Sequence, residues 1–368
     1  MTSPTLIRTL SVETLNIPLH EPFGIAGGAQ DVARNLLVTV ELANGTRGYG
    51  EAAPFPAFNG ETQQSARAAV LAAQASIEGA DAREWRRIAA ILATIPGMTG
   101  SARCAIETAT LDALARAARL PLWSFFGGVA TSLETDVTIT TGTIAAAARA
   151  ASDIIARGVR TIKIKVGAGD PASISTRVIE HDLARIVAVR DAAPGARLIL
   201  DGNGGYTADA ALGLLNMLVA QGISPALFEQ PTARDDLAGL AQITATRYVP
   251  VAADESAASA AEVARLARLG TVNVINIKLM KCGIAEALDI AAVARATGLG
   301  LMIGGMVESL LAMTVSACFA AGQGGFTFVD LDTPLFLADN PFTGGMHYDG
   351  GRIFLAQINA GHGVTPRS

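Results

Sequence analysis

Six charged residues close short apolar runs in the middle of the chain. They are Lys163 and Lys165 in T-I-K-I-K-V-G (161–167), Asp201 in L-I-L-D-G-N-G-G-Y (198–206), Glu229 in L-F-E-Q-P (227–231), Asp254 in V-A-A-D-E-S (251–256) and Lys278 in I-N-I-K-L-M-K (275–281). An apolar run that ends on a charge reads as a strand crossing a core and surfacing at its C-terminal end. Three carboxylates on successive strands repel one another unless a cation sits among them. A donor set of oxygens, with no Cys or His, favours Mg²⁺ or Mn²⁺ over zinc. Asp201, Glu229 and Asp254 are therefore the candidate metal ligands, and Asn203 and Glu255 are placed to support them from behind. Any one acid alone could equally cap a helix or pair with a lysine. D-G-N-G-G-Y is not a calcium loop, because Gly205 and Leu212 stand where that loop needs ligands.

Lys163 and Lys165 are two residues apart on one strand and point the same way. Buried ammonium groups must meet negative charge or lose a proton, and two neighbours lower each other's proton affinity. That would bring Lys165 towards the range of a general base. Lys278 follows four strands later, half the circumference of an eight-stranded barrel, with the acidic strands between. A carboxylate held on the metal would have one lysine on each face. Its α-proton is acidified because the cation stabilises the enediolate. A base on one face and an acid on the other invert the α-carbon. Lys281 lies past the strand and reads as a surface or salt-bridged lysine.

The elements that must carry these residues alternate. From Thr135, strands (D-V-T-I-T-T, then 161–166, 197–201, 225–229, 249–253, 272–278, 299–303 and 326–330) alternate with helices (ending at Gly158, then 172–192, 207–221, 234–246, 259–269, 284–297 and 309–321). This is α/β grammar with a parallel sheet. Eight strands at this spacing suit a closed barrel, with the site at the C-terminal strand ends. A doubly wound sheet would carry a glycine fingerprint after its first strand, and D-V-T-I-T-T-G-T has none.

Ahead of the barrel, residues 5–18 and 34–50 alternate like strands, with a hairpin turn at Asn44-Gly45. Stretches 20–30 and 52–60 read as irregular loops. Helices follow near 61–79, 82–94 and 100–118, making an α+β domain. The tail after 331 reads as loop with one short strand near 352–356. The expected division is a capping domain over 1–125, joined by 335–368, and a catalytic barrel over 126–334.

Half of the 368 residues are hydrophobic and 17% are charged, which supports a large core. A net charge of −5 argues against nucleic acid or an anionic membrane as partner. Cys104, Cys282 and Cys318 form no C-x-x-C, and the N-terminus lacks signal-peptide grammar, so a cytoplasmic location is expected. Leu299–Ala321 is broken by Gly304-Gly305 and Glu308, and reads as strand, turn and helix rather than a membrane span.

The K-x-K pair, the D…E…D acids, the later lysine and P-L-W-S-F-F-G-G (121–128) together resemble the enolase superfamily, in its muconate-lactonizing subgroup. The resemblance covers essentially the whole chain. It implies a modified (β/α)7β barrel with an N-terminal α+β capping domain. It also implies Asp201, Glu229 and Asp254 as Mg²⁺ ligands, Lys165 and Lys278 as acid/base pair, and Lys163 assisting Lys165. F-V-D-L-D-T-P (328–334) carries Asp330 and Asp332, a D-x-D that resembles the dipeptide epimerases, where it binds the substrate's α-ammonium group. Thr138 resembles a substrate-contacting position, and Thr140 faces the same way. In Ala-Glu epimerases the capping loops need a cation for the glutamate. Here no Lys or Arg stands between Leu19 and Val32, while Phe23, Ile25, Phe55 and Phe58 occupy the two loops. A hydrophobic side chain is expected, then a cationic one. His20 opposes that only if protonated over the site.

The expected function is a Mg²⁺-dependent dipeptide epimerase acting on the C-terminal residue. The expected partners are a dipeptide and further copies of the chain, with no nucleic acid and no membrane. The rival reactions are those of an o-succinylbenzoate synthase, an N-acylamino acid racemase or a muconate cycloisomerase. The non-enzyme rival is a barrel that keeps its metal for structure alone.

Overall fold

The computed structural model describes residues 3–25, 28–168 and 175–367. Ala26 and Gly27 of the predicted 20–30 loop, and the first residues of the helix predicted from 172, lie outside the described residues.

Eight parallel strands form one sheet in sequence order: Val137–Ile139, Thr161–Lys165, Arg197–Asp201, Leu227–Glu229, Val251–Ala253, Val274–Ile277, Gly300–Ile303 and Phe326–Val329. The first and last strands meet at a seam, where the Asp136 N–H donates to the Val329 carbonyl at 2.9 Å. Thr135 Oγ1 accepts from the Leu331 N–H at 2.9 Å and donates to the Val329 carbonyl at 3.3 Å. Among the described residues seven helices connect the strands, giving the (β/α)7β order. Their starts follow side-chain capping rules: Thr143, Thr207, Asp236, Ser259 and Ser309 each accept a first-turn backbone N–H. The stretch read as strand, turn and helix is resolved into Gly300–Ile303 and Leu310–Gln323, and no described helix is long and apolar enough to cross a membrane.

Strand alternation sorts the barrel side chains into layers. Outward residues such as Ile162, Leu200, Phe228, Val251 and Ile275 join the core shared with the helices. Inward, Ile199, Leu227, Ala252, Val274, Met302 and Phe328 form an apolar floor. The Arg197 guanidinium covers the Phe328 ring at 4.3 Å, which ties the third strand to the eighth. One step up each of strands three to five, the inward position holds Asp201, Glu229 or Asp254.

The N-terminal part is a three-stranded antiparallel sheet, Ile7–Ile25, Gly28–Leu42 and Arg47–Ala52, followed by helices Gln63–Ile77, Trp85–Leu92 and Gly100–Ala117. The 20–30 stretch corrects the expectation of a loop: after a register shift beyond Pro18, Phe23 pairs with Gln30 and Ile25 with Gly28. Backbone pairing needs no side-chain alternation, and the shift hides the period of two. Stretch 52–60 contains a single helical turn, Pro56–Asn59, closed by Gly60 at φ 79°. The helix Gly100–Ala117 lies directly on the third strand. A Cβ on Gly50 would stand 2.0 Å from the Ala105 carbonyl oxygen, so only glycine permits this approach.

Buried carboxylates fasten this part to the barrel. Glu51 accepts from Asn35 Nδ2 at 2.6 Å and from the Ser309 N–H at 2.9 Å, at the N-terminus of helix Leu310–Gln323. Glu107 accepts the Ala285 N–H at 2.8 Å, beside the kink at Gly283 (φ 83°). The tail holds four short strands rather than one, Phe342–Gly344, His347–Asp349, Arg352–Phe354 and Val364–Pro366. It returns to the N-terminal part through His362, whose ring Nε2 lies 2.9 Å from the Tyr49 carbonyl and 3.1 Å from Asp112.

Candidate active site

Asp201, Glu229 and Asp254 are fully buried at the ends of three neighbouring strands, and Asp201 pairs in register with Glu229. Lysines surround them. Lys163 Nζ lies 2.8 Å from Asp201 Oδ2, 2.8 Å from Glu229 Oε2 and 2.6 Å from Asp330 Oδ2. Lys165 Nζ donates to Asp201 Oδ2 at 2.6 Å and to Asn203 Oδ1 at 3.1 Å. Lys278 Nζ lies 2.7 Å from Asp254 Oδ2. The Lys281 side chain is buried and salt-bridged to Asp254 Oδ1 at 2.9 Å, and it also bonds the Asn276 carbonyl.

The charges set the protonation of the bowl. Burial pushes Asp201 up, but Lys163, Lys165 and Lys278 outweigh it and hold the group below its usual range. Burial likewise opposes ionisation of Asp254, and Lys278 and Lys281 bring it to about 2. Burial, aided by Asp201, pushes Glu229 up to about 7. The mutual depression expected of the lysine pair does not govern Lys163. Burial lowers its proton affinity, yet Asp201, Asp330 and Glu229 raise it well above the ordinary value.

The donor set fits a hard divalent cation. Glu229 Oε2 and Asp254 Oδ2 are buried and close to lysine nitrogens, but neither has hydrogen-bond geometry. Three buried carboxylates with unused lone pairs, and no sulfur or imidazole beside them, match Mg²⁺ chemistry. Their orientation is fixed from behind. Asn276 Nδ2 donates to Glu229 Oε1 at 2.6 Å. The Asn203 N–H donates to Asp201 Oδ1 at 3.0 Å, and its amide donates to Glu255 Oε1 at 3.2 Å. Burial and Asp254 together push Glu255 up to about 8. Gln230, with a left-handed φ of 33°, accepts the Asp254 N–H at 2.9 Å.

The sequence reading passed over Asn276, although it stands two residues before Lys278 and must share its inward face. It also missed a buried brace under Lys165. Arg185, on the helix Thr176–Ala192, donates to the carbonyls of Lys165 at 2.7 Å and Thr140 at 2.6 Å. Asp182 accepts from the Gly167 N–H and the Tyr206 hydroxyl at 2.8 and 2.6 Å. No local signal separates that pair from ordinary helix surface charges.

Across the bowl, Asp330 and Asp332 follow the eighth strand. Asp332 Oδ2 accepts the Thr138 N–H at 2.6 Å, so Thr138 touches the D-x-D through its backbone. Burial and Asp330 push Asp332 up to about 7. Thr138, Lys165, Asn203, Lys278, Asp330 and Asp332 all line one pocket, and Phe23, Ile25, Phe55, Phe58 and Met306 close it with apolar surface. Lys278 Nζ sits 4.8 Å from the centre of the Phe58 ring. Of the two lysines in the lining, Lys165 ends the second barrel strand and Lys278 directly follows the sixth. His20 is exposed, with its N–H on the Phe336 carbonyl, and is not part of the lining. Thr140 is half-buried and does not line the pocket.

Known proteins share this architecture. Residues 7–127 match the mandelate racemase / muconate lactonizing enzyme N-terminal domain, and residues 144–368 match the enolase C-terminal domain-like family. An aromatic dipeptide epimerase of Herpetosiphon aurantiacus is 54% identical over 98% of this chain and 99% of its own length. The crystal structure of a mandelate racemase/muconate lactonizing enzyme from Roseiflexus sp. is 72% identical, covers 100% of both chains and superposes with a TM-score of 0.95. The dipeptide epimerase of Enterococcus faecalis, complexed with Mg and the dipeptide L-Leu-L-Tyr, is 34% identical over 98% of this chain and 99% of its own, with a TM-score of 0.91. The chain belongs to the mandelate racemase / muconate lactonizing enzyme family of the enolase superfamily.

Proposed function

We propose that the chain is a Mg²⁺-dependent dipeptide epimerase that inverts the α-carbon of the C-terminal residue. The observation that carries this is one pocket lined by Lys165 and Lys278, at the ends of strands half a barrel apart, and by the buried Asp330 and Asp332. Asp201, Glu229 and Asp254 would hold Mg²⁺, or Mn²⁺, which when bound anchors the substrate carboxylate and offsets the charge that develops there on loss of the α-proton. Lys165 and Lys278 exchange that proton from opposite faces, one as base and the other as acid. Lys163 supplies a fixed positive charge between the carboxylate bowl and Asp330. Asp330 and Asp332 receive the free α-ammonium group, which distinguishes a dipeptide from an N-acylated acid. Asn203 and Glu255 keep Asp201 and Lys165 oriented.

The apolar closure by Phe23, Ile25, Phe55 and Phe58 supports a hydrophobic or aromatic side chain, in keeping with the name of the Herpetosiphon aurantiacus relative. Residues 1–125 with 335–368 act as the cap, and 126–334 as the catalytic barrel. Buried, unpaired cysteines support work in a reducing cytoplasm. A dipeptide library incubated with enzyme and Mg²⁺ in D₂O tests the reading by mass spectrometry. One-dalton gains on hydrophobic dipeptides are expected. Gains confined to N-acylated or succinylbenzoate-type acids would replace it.

A further inference from the structure

Asp136 enters none of the roles above, yet it is placed with care. Its backbone N–H closes the barrel seam on Val329, and Thr135 beside it bonds both Val329 and Leu331. The seam presses the Asp136 side chain against the eighth strand. Oxygens of Asp136, Asp330 and Asp332 all lie within 4.8 Å of one another. Asp136 is 1% exposed, and neither of its carboxyl oxygens meets a protein N–H or hydroxyl donor. Asp332 Oδ1 is also without a donor.

The charged neighbours do not balance three ionised acids. Lys163 is the ammonium group at bonding distance, 2.6 Å from Asp330, and it also serves Asp201 and Glu229. Asp332 has the Thr138 N–H, and Tyr348 above it directs its hydroxyl to the Leu331 carbonyl. A buried carboxyl with no donor is stable only if it becomes a donor itself. Acceptors stand within reach, since an oxygen of Asp330 lies within 4.8 Å of one of Asp136, and Lys163 at 2.6 Å keeps that Asp330 carboxylate charged.

We propose that Asp136 is a positioning residue of the ammonium subsite, an un-ionised carboxyl that donates its hydrogen to Asp330. The bond orients the Asp330 carboxylate and spares the subsite a third negative charge. With Lys163 on Asp330, one substrate ammonium group then balances the two remaining carboxylates. Burial, reinforced by Asp330 and Asp332, pushes Asp136 well above the usual aspartate range, while Lys163 holds Asp330 below it against the effect of burial.

The proposal rests on the dipeptide reading for its kinetic consequence but not for its chemistry, so two measurements separate them. The infrared difference spectrum of wild type minus Asp136→Asn, at pH 7, should show an un-ionised carboxyl band, whether or not any dipeptide reacts. An ionised carboxylate band there overturns the proposal. In kinetics, Asp136→Leu keeps the bulk but removes the donor, and should raise KM for a free dipeptide about tenfold or more with a smaller change in kcat. Asp136→Asn restores a donor and should recover most of that loss. Equal damage from both variants overturns the proposal. Failure of wild type to exchange any dipeptide would overturn the functional reading, and the infrared result would still decide the state of Asp136.

Discussion

Lys163 and Asp330 share a buried hydrogen bond of 2.6 Å, and the same ammonium group lies 2.8 Å from both Asp201 and Glu229. One side chain on the second strand thus joins the acids suited to a metal with the acids suited to an ammonium ion. The two subsites form a single electrostatic unit, which fixes how far apart a substrate's two charged ends must be.

Asp330→Asn removes one negative charge from the ammonium end of that unit. Loss of a buried charged partner costs about 2–5 kcal/mol. The variant should therefore lose about a hundredfold or more in kcat/KM for free dipeptides. Steady-state kinetics checks this. Undiminished turnover would point to substrates without an ammonium group.

Removal of divalent metal by chelation should abolish α-proton exchange, and Mg²⁺ should restore it. Because the buried acids are incompletely satisfied without a cation, Mg²⁺ at about one hundred times its Kd should add about 2.7 kcal/mol of stability. A rise in melting midpoint on titration with Mg²⁺ checks the second effect independently of activity.

Asp112 links the helix Gly100–Ala117 to the tail by accepting the His362 N–H at 2.9 Å, and Arg116, one turn along the same helix, donates to it at 2.7 Å. Burial opposes its ionisation, but His362 and Arg116 hold the group below the ordinary 3.8. A lowered folded value means its stabilisation is complete above 3.8 and fades as the pH falls through the folded value. Asp112→Asn should cost about 1.5–3 kcal/mol at pH 7, since it removes the charged acceptor of the half-buried Arg116, which keeps its bond to the Val364 carbonyl. Urea titrations of both proteins should converge as the pH drops below 3.8.

Gly50→Ala drives a methyl group into the Ala105 carbonyl, 2.0 Å away in the present backbone. Overpacking of this kind costs about 1–3 kcal/mol. A lower melting midpoint is expected with the metal dependence of stability retained, because the strain falls between the N-terminal sheet and its helix and not on Asp201, Glu229 or Asp254.

Much of this was legible in the sequence, for physical reasons. A barrel strand announces its inward charge because the rest of the strand must be apolar, so Asp201, Glu229, Asp254, Lys165 and Lys278 stood out, and so did the (β/α)7β order. The hairpin at Asn44-Gly45 carried its own turn chemistry. Less visible was anything set by register or distance. The pairing of Phe23 with Gln30 follows a register shift that erases alternation. The Arg185 brace acts on carbonyls, which leave no trace in side-chain pattern. Asp136 precedes its strand and gains meaning only when the seam sets it beside Asp330. Asn276 was readable from its spacing to Lys278, but amides give no charge signal.

The central claim is that Lys165 and Lys278 work from opposite faces of one α-carbon. The most direct test follows deuterium incorporation by NMR when Lys165→Ala and Lys278→Ala are each given both epimers of a hydrophobic dipeptide in D₂O with Mg²⁺. Each variant should fail to epimerise, with kcat down by about a thousandfold. Each should still exchange the α-proton of one epimer, and the two variants should retain opposite epimers. Exchange of both epimers at wild-type rate by either variant, or the same epimer retained by both, would contradict the account.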